Sequence, residues 1–233
     1  MHMGYLHKRV KGESSGQSFV ELMLIALALG LMIAGVVEFG LLLNEYLKVL
    51  DGAREAARVS SSSVAFDPAT GVSDQRFFVI GAMKTMSVMA PITLNGNKGD
   101  DIIISVFSVS GSNIVRWPLG YSTGWSLCAN YGAILGNTTL NNIMQTGLTL
   151  DQYNAFVSTW NHCTPKPSHF DNTTITTRMD ASAPPTGVLL VEVYYNYSQI
   201  LKLPVLEQVI PDPILVYTYS VMPISSAEPT AAH

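Results

Sequence analysis

The residues of this chain whose types and spacing could support chemistry lie at the start of a long apolar segment. The run Gly16-Gln17-Ser18-Phe19-Val20-Glu21 follows a short basic leader. A charged residue near the centre of a membrane helix costs about 2.5–3.5 kcal/mol, and such residues are retained where they find a partner. A cut after Gly16 would place the new amine of Gln17 about one helical turn from Glu21, where the two charges could pair within one chain or between neighbours. If the chain were cut there, the spacing would therefore allow an ion pair between the new amine and Glu21.

The apolar segment is long enough to cross a bilayer. Phe19–Leu43 contains only two charged residues, Glu21 and Glu38, and a hydrocarbon core about 30 Å thick needs about 20 apolar residues in a helix. A cleaved secretory signal peptide is the rival interpretation, but its apolar region is normally shorter and ends in a small-residue site that is missing here. The leader, residues 1–16, has three basic residues and one acid. This charge pattern predicts a cytoplasmic leader, a retained single-pass helix and an exported C-terminal part.

Two further features of the apolar segment concern contacts between helices. Ala26, Gly30 and Ala34 recur every four residues, a pattern of small residues that lets membrane helices approach closely. The alternative is that they are lipid-facing filler. Glu38 either pairs with a neighbouring subunit or lies at the outer interface within reach of water, and the sequence favours neither.

The helix is expected to continue beyond the membrane. Apolar residues follow at spacings of three and four, which predicts one buried helix face; they are Leu43, Tyr46, Leu47, Leu50, Ala53 and Ala57. No proline occurs before Pro68. The sequence predicts one continuous helix from about Ser15 to about Ser60, with residues 17–63 forming a transmembrane helix that continues as an amphipathic one.

The remaining chain predicts an α+β domain over residues 64–225 with an antiparallel sheet of about three or four strands. The expected elements are a helix over Phe77–Met89, a strand over Ile102–Val109, a helix after the capping-box spacing Thr149–Gln152, and strands over Val188–Ser198 and Ile214–Val221. Two stretches rich in glycine, asparagine or proline, Gly120–Asn142 and Pro165–Pro185, are expected to be loops. Residues 226–233 are expected to be a disordered tail.

The two cysteines lie in the part that is expected to be exported. An even number of cysteines in an oxidising compartment favours a disulfide between Cys128 and Cys163. The alternatives are free thiols or a metal site that also uses His162 and His169. Neighbouring His162 and Cys163 have poor geometry for one ion, and no C-x-x-C or H-x-x-x-H spacing supports such a site.

Composition argues against two other classes of protein. The net charge of −4 provides no basic surface for nucleic acid. No nucleophile elbow, HExxH motif or phosphate-binding loop is present, so the sequence predicts neither an enzyme nor a cofactor.

The combination of leader, Gly16, Glu21 and long apolar helix resembles a type IV prepilin. Three segments resemble the TadE-like family of tight-adherence (Tad) pili more specifically: the start Gly16-Gln17-Ser18-Phe19-Val20-Glu21, the step Val37-Glu38-Phe39-Gly40, and Ala53-Arg54-Glu55-Ala56-Ala57-Arg58. The resemblance is specific over residues 12–60 and weak beyond them.

The resemblance implies a minor pseudopilin that a prepilin peptidase processes after Gly16. It implies that Glu21 positions the subunit during assembly, and that the partners are the membrane, the peptidase, other pilin subunits and the pilus assembly platform. The expected location is the inner (cytoplasmic) membrane, with incorporation into an extracellular pilus. The alternative function is an unprocessed single-pass anchor that displays an adhesive or ligand-binding domain.

Overall fold

The structure is a computed structural model and describes residues 15–65, 73–110, 113–117, 124–178, 186–202 and 210–224. Its first element is a continuous α-helix of 47 residues, α1 (Ser15–Ser61), which confirms the predicted long helix. The helix ends where Ser61 and Ser62 donate their side-chain hydroxyls to the carbonyls of Arg58 and Val59, both at 2.9 Å. These hydroxyls satisfy carbonyls that have no partner at a helix end. Residues 1–14 of the predicted leader (residues 1–16) and the predicted tail (residues 226–233) lie outside the described residues.

An antiparallel sheet forms the centre of the domain, which confirms the α+β class. Its strands are β1 (Asp101–Ser110), β2 (Asn113–Trp117), β3 (Trp125–Ser126), β4 (Thr186–Tyr197) and β5 (Ile214–Pro223). Four strands lie in the order β2-β1-β4-β5, and the short β3 also pairs with β1. The register sets Ile104 of β1 opposite Val191 of β4, and Val191 opposite Ser220 of β5. The three longest strands, β1, β4 and β5, are those that the β-rich runs predicted.

Five shorter helices surround the sheet. They are α2 (Gln75–Val88), α3 (Leu127–Gly136), α4 (Thr138–Gly147), α5 (Leu150–Thr159) and α6 (Asn172–Arg178). The predicted helix at Phe77–Met89 is confirmed by α2. The predicted start of α5 is confirmed by a complete capping box between Thr149 and Gln152.

The two predicted loops were wrong over most of their described residues, although residues 165–171 are irregular as expected. The stretch from Gly120 to Asn142 contains β3, α3 and the start of α4, and the stretch from Pro165 to Pro185 contains α6. The polar residues that suggested loops are helix caps instead. Asn137 accepts hydrogen bonds from the backbone N–H groups of Thr139 and Leu140, and Asp171 accepts one from Thr174.

Each face of the sheet is covered by different elements. The C-terminal half of α1, together with α2 and α3, packs over one face, where the larger core includes Ile104 and Val191. A smaller core on the opposite face contains Phe107 and Leu190, covered by Phe170 and Ile175 from the α6 region. The sheet is therefore the middle layer, with α1 on one face and the α6 region on the other.

The predicted apolar stripe of α1 is buried at Ala53 and Ala57 but exposed at its N-terminal end. Leu43, Tyr46 and Leu47 are 46%, 38% and 49% exposed, whereas Val49, Ala53, Ala56 and Ala57 are fully buried. The physical reason is close packing of α2 on small residues. A Cβ atom added at Gly52 would lie 2.7 Å from Cγ of Met89 and 3.0 Å from the carbonyl oxygen of Thr85. Shape complementarity at this crossing decided which face of α1 is buried.

Candidate functional site

The N-terminal part of α1 projects away from the domain. Every described residue from Gly16 to Ile33 is exposed, and the most apolar window of this helix has a mean hydropathy of 2.5 with none of its residues buried. By length and composition, α1 is the one helix in the described part of the chain that could cross a membrane. Apolar surface of this extent is unstable in water, so it indicates a membrane or another apolar partner.

The residues of the predicted processing site lie at the very start of this helix. Gly16 and Gln17 are exposed in the first turn, and a Cβ atom added at Gly16 would meet no other atom within 4 Å. Glu21 is also exposed and makes no hydrogen bond or ion pair with the described residues. Within one chain, both the peptide bond after Gly16 and the Glu21 carboxylate are accessible.

The small residues of the apolar segment are equally uncovered. Ala26 and Gly30 are exposed and Ala34 is partly buried, and an added Cβ at Gly30 would meet nothing within 4 Å. The stripe is free at its N-terminal end and reaches the domain at Ala34.

Glu38 has a different environment from Glu21. Its side chain is only 7% exposed. Oε1 accepts hydrogen bonds from the hydroxyl of Tyr197 at 2.7 Å and the backbone N–H of Ile200 at 2.9 Å, and Oε2 accepts one from the N–H of Leu201 at 2.9 Å. The carboxylate is therefore bound within its own chain, and the two alternatives left open by the sequence, a neighbouring subunit and the outer interface, stay predictions.

A second acid–tyrosine pair lies farther along the same helix face. Glu45 Oε2 accepts a hydrogen bond from the hydroxyl of Tyr195 at 2.6 Å. Glu38 and Glu45 are two helical turns apart, and Tyr195 and Tyr197 are two positions apart on one side of β4, so each set shares a face. Burial and the hydrogen bond to Glu45 raise the pKa of Tyr195 above its usual range, so the tyrosine stays protonated and remains the donor. We call these four residues the acid–tyrosine clasp.

Sequence reasoning missed the clasp because it identified Glu38 without its partners. The alternating pattern Tyr195-Asn196-Tyr197 was a signal, since it puts two hydroxyls on one face of a strand. Nothing in the sequence related that strand to a helix about 150 residues earlier.

Two other buried carboxylates hold loops against the sheet. Asp101 is fully buried and accepts hydrogen bonds from the hydroxyl of Ser126 at 2.7 Å and the backbone N–H groups of Ile102, Cys128 and Lys166 at 2.9, 3.1 and 2.9 Å. Burial raises the pKa of Asp101 to about 6, with its hydrogen bonds acting in the opposite direction.

The other buried carboxylate is Glu192, on the opposite face of the sheet from α1. It accepts hydrogen bonds from the hydroxyls of Ser168 and Tyr217 and from the backbone N–H of His169. Burial, followed by the hydrogen bond to Glu192, raises the pKa of Tyr217 above its usual range. The geometry of both carboxylates is structural: each one joins a loop to a strand.

The cysteines form a disulfide near Asp101. Cys128 and Cys163 are bonded, with their Cα atoms 5.8 Å apart, which joins the start of α3 to the chain after α5. His162 and His169 are exposed. Within the described ranges, no group of three or more metal-binding side chains is assembled.

Comparison with known proteins gives one match. The family of TadE-like proteins matches residues 16–58, which cover the free part of α1, the clasp acids and the buried small residues. No curated protein and no solved structure matches the chain. Over this N-terminal segment, the chain is similar to the TadE-like proteins.

Proposed function

We propose that this protein is a minor pseudopilin of a Tad-type pilus, a structural or assembly component that a prepilin peptidase processes after Gly16. Its partners would be the membrane, the peptidase, other pilin or pseudopilin subunits and the assembly platform. The basic leader supports an orientation with the N terminus in the cytoplasm and the domain exported across the inner membrane. The family match supports the pilus context.

The observation that supports this function best is the exposure of the N-terminal part of α1. Residues 16–33 are all exposed, so the same surface can face lipid before assembly and other helices after it. The small residues Ala26, Gly30 and Ala34 would allow close approach of a second helix. A plain anchor requires only an apolar surface, whereas helical packing between subunits also benefits from these small residues.

The proposed cut would create the partner that Glu21 lacks. Gln17 becomes the first residue, and its amine lies one turn before Glu21 on a helix of about 1.5 Å rise per residue. The ammonium of a neighbouring subunit is equally suitable, and a charge pair in an apolar environment fixes register more than it adds stability. Glu38 serves assembly indirectly in this proposal, because the clasp holds the domain at one height along the helix.

The experiment is intact-mass measurement and N-terminal sequencing of the protein recovered from its native membrane. The proposal expects a mature chain that begins at Gln17 in the wild type and an intact leader in Gly16→Val. Gly30→Ala is the matched control, since Gly30 is an exposed glycine of the same helix, and it should be processed normally. An uncut wild-type chain in cells with an active peptidase would leave the unprocessed membrane anchor as the better description.

A further inference from the structure

The clasp fixes the height of the domain relative to the apolar helix. The fully exposed stretch of α1, residues 16–33, is about 27 Å long as a helix, slightly less than the roughly 30 Å of a bilayer core. Glu38, only five residues farther along, is already bonded to the backbone of Ile200 and Leu201. When α1 spans a membrane, the chain that follows β4 therefore lies at the boundary between the acyl chains and the head groups.

Large apolar side chains are exposed at this end of the domain. Ile200 and Leu215 are each 56% exposed, Leu201 is 39% exposed and Ile210 is 38% exposed. They flank the end of β4 and the start of β5, which pair at Tyr197 and Ile214. Lys202 follows directly and is also exposed, and a lysine beside apolar residues is typical of the membrane interface. We call these five residues the membrane-proximal rim.

An apolar cleft opens beside the rim. It has a volume of about 130 Å³ and lies between α1 and the β4–β5 end of the domain, next to Glu38. Its walls are mainly aliphatic and aromatic, formed by Gly35, Phe39, Leu42, Tyr197, Ile210 and Ile214, and Glu38 and Gln199 are its two polar lining residues. The absence of a side chain at Gly35 leaves room between the helix and the strands, at a depth where the surrounding solvent is lipid.

We propose that the membrane-proximal rim and this cleft form a phospholipid-binding surface. The rim inserts into the head-group region, the cleft receives part of one acyl chain, and Lys202 meets the phosphate. The occupant is lipid because the surface is continuous with the apolar face of α1 and lies at acyl-chain depth. Burial of apolar side chains by 5–10 Å is the usual mode of interfacial binding. This inference depends on α1 spanning a membrane and is independent of processing at Gly16.

The test measures lipid contact at single labelled positions in the full chain. The two native cysteines are paired with each other, so a fluorophore can be attached selectively to Ile200→Cys. Val221→Cys is the matched control: it is 52% exposed and lies on β5 about 20 Å along the strand from Leu215. Each protein is reconstituted at low protein density into vesicles of phosphatidylethanolamine and phosphatidylglycerol, with or without lipids brominated along the acyl chain.

The proposal expects brominated lipid to quench the label at position 200, with a blue-shifted emission, and to leave the label at position 221 unquenched. Equal quenching at both positions, or none at position 200, would overturn it. Shielding at position 200 that appears only at high protein density, without quenching by lipid, would also overturn it, because the partner would then be another subunit. A second measurement avoids the labels: Ile200→Ser with Leu201→Ser should lower the thermal midpoint more in vesicles than in detergent, and an equal loss would contradict lipid contact.

Discussion

The hydroxyl of Tyr197, at the end of β4, lies 2.7 Å from the carboxylate of Glu38, which is 159 residues earlier in α1. This bond and the two backbone N–H groups on the same carboxylate join the domain to α1 five residues after its fully exposed stretch ends. The domain is therefore not suspended from a free helix end but is attached to α1 at two heights, Glu38 and Glu45. The relationship makes the attachment testable one group at a time.

Removing the Glu38 carboxylate should loosen the end of β4. Glu38→Ala leaves one hydroxyl and two N–H groups without an acceptor, and each unpaired buried group costs about 1–3 kcal/mol. We expect faster hydrogen exchange at the amides of Ile200 and Leu201, and a smaller effect from Tyr197→Phe, which removes one of the three bonds. Tyr219→Phe is the control because Tyr219 is 46% exposed. Unchanged exchange at both amides in Glu38→Ala would disprove the clasp.

Substitutions of Glu21 and of Glu38 should have different effects on the protein. Glu21→Ala is expected to leave membrane insertion and domain stability intact and to reduce pilus formation, since Glu21 has no partner among the described residues of its own chain. Glu38→Ala should lower domain stability before assembly begins. Immunoblotting of membranes and of sheared pili measures both effects. Normal piliation in Glu21→Ala would contradict its assembly role.

A methyl group at Gly52 should destabilise the packing of α1 on α2. An alanine is favoured over glycine in a helix by about 1 kcal/mol, but overpacking a tight contact costs about 1–3 kcal/mol, and the added Cβ would be 3.0 Å from a backbone oxygen. We expect a net loss in the free energy of unfolding for Gly52→Ala. Gly132→Ala, in α3 with nothing within 4 Å of the added atom, should instead be neutral or stabilising. Denaturant unfolding in detergent compares the two, and the same sign for both would refute the crossing geometry.

The disulfide should stabilise the domain that follows α1 considerably. It links residues with a sequence separation of 35, for which the loss of chain entropy in the unfolded state corresponds to about 3–4 kcal/mol. Reduction of the wild type should lower the unfolding midpoint. The variant with both Cys128→Ser and Cys163→Ser should have the lower midpoint already and should not respond to reductant. A response in that variant would mean that the reductant acts elsewhere.

Asp101 should make stability fall as pH rises between about 4 and 6. Its pKa in the folded protein is raised to about 6, against about 3.9 in an unfolded chain, so the folded state binds the proton more tightly. The resulting contribution is complete below about pH 4 and is lost as pH rises to 6, with a magnitude on the order of 3 kcal/mol.

Denaturant midpoints of the wild type and Asp101→Asn across this pH window test the assignment. In Asp101→Asn, the part of the fall in stability with rising pH that Asp101 causes should be missing. The variant should also be less stable at neutral pH, because an amide N–H₂ would face the donors that the carboxylate accepts from. If the stability of Asp101→Asn fell with pH as steeply as that of the wild type, other titratable groups would be responsible for the fall.

Local chemistry was enough to predict several parts of this protein. The long helix follows from an apolar run without proline, the capping box at Thr149 from two side chains three residues apart, and β4 and β5 from β-branched and aromatic runs. The stretch at residues 125–147 was harder, because asparagine and serine serve equally well in loops and as helix caps. Whether they cap depends on whether the following helix can pack, which a local pattern does not contain.

The sequence by itself determined the free half of α1, because an uncharged stretch that long has only lipid or another apolar helix as a stable environment. The positions of Gly16 and Glu21 were likewise evident, since both lie in one local motif. Only the tertiary structure decided the role of Glu38 and which face of α1 is buried. Both depend on what β4 and α2 present to the helix, and those partners are brought close by the folding of the whole domain rather than by any spacing along the chain.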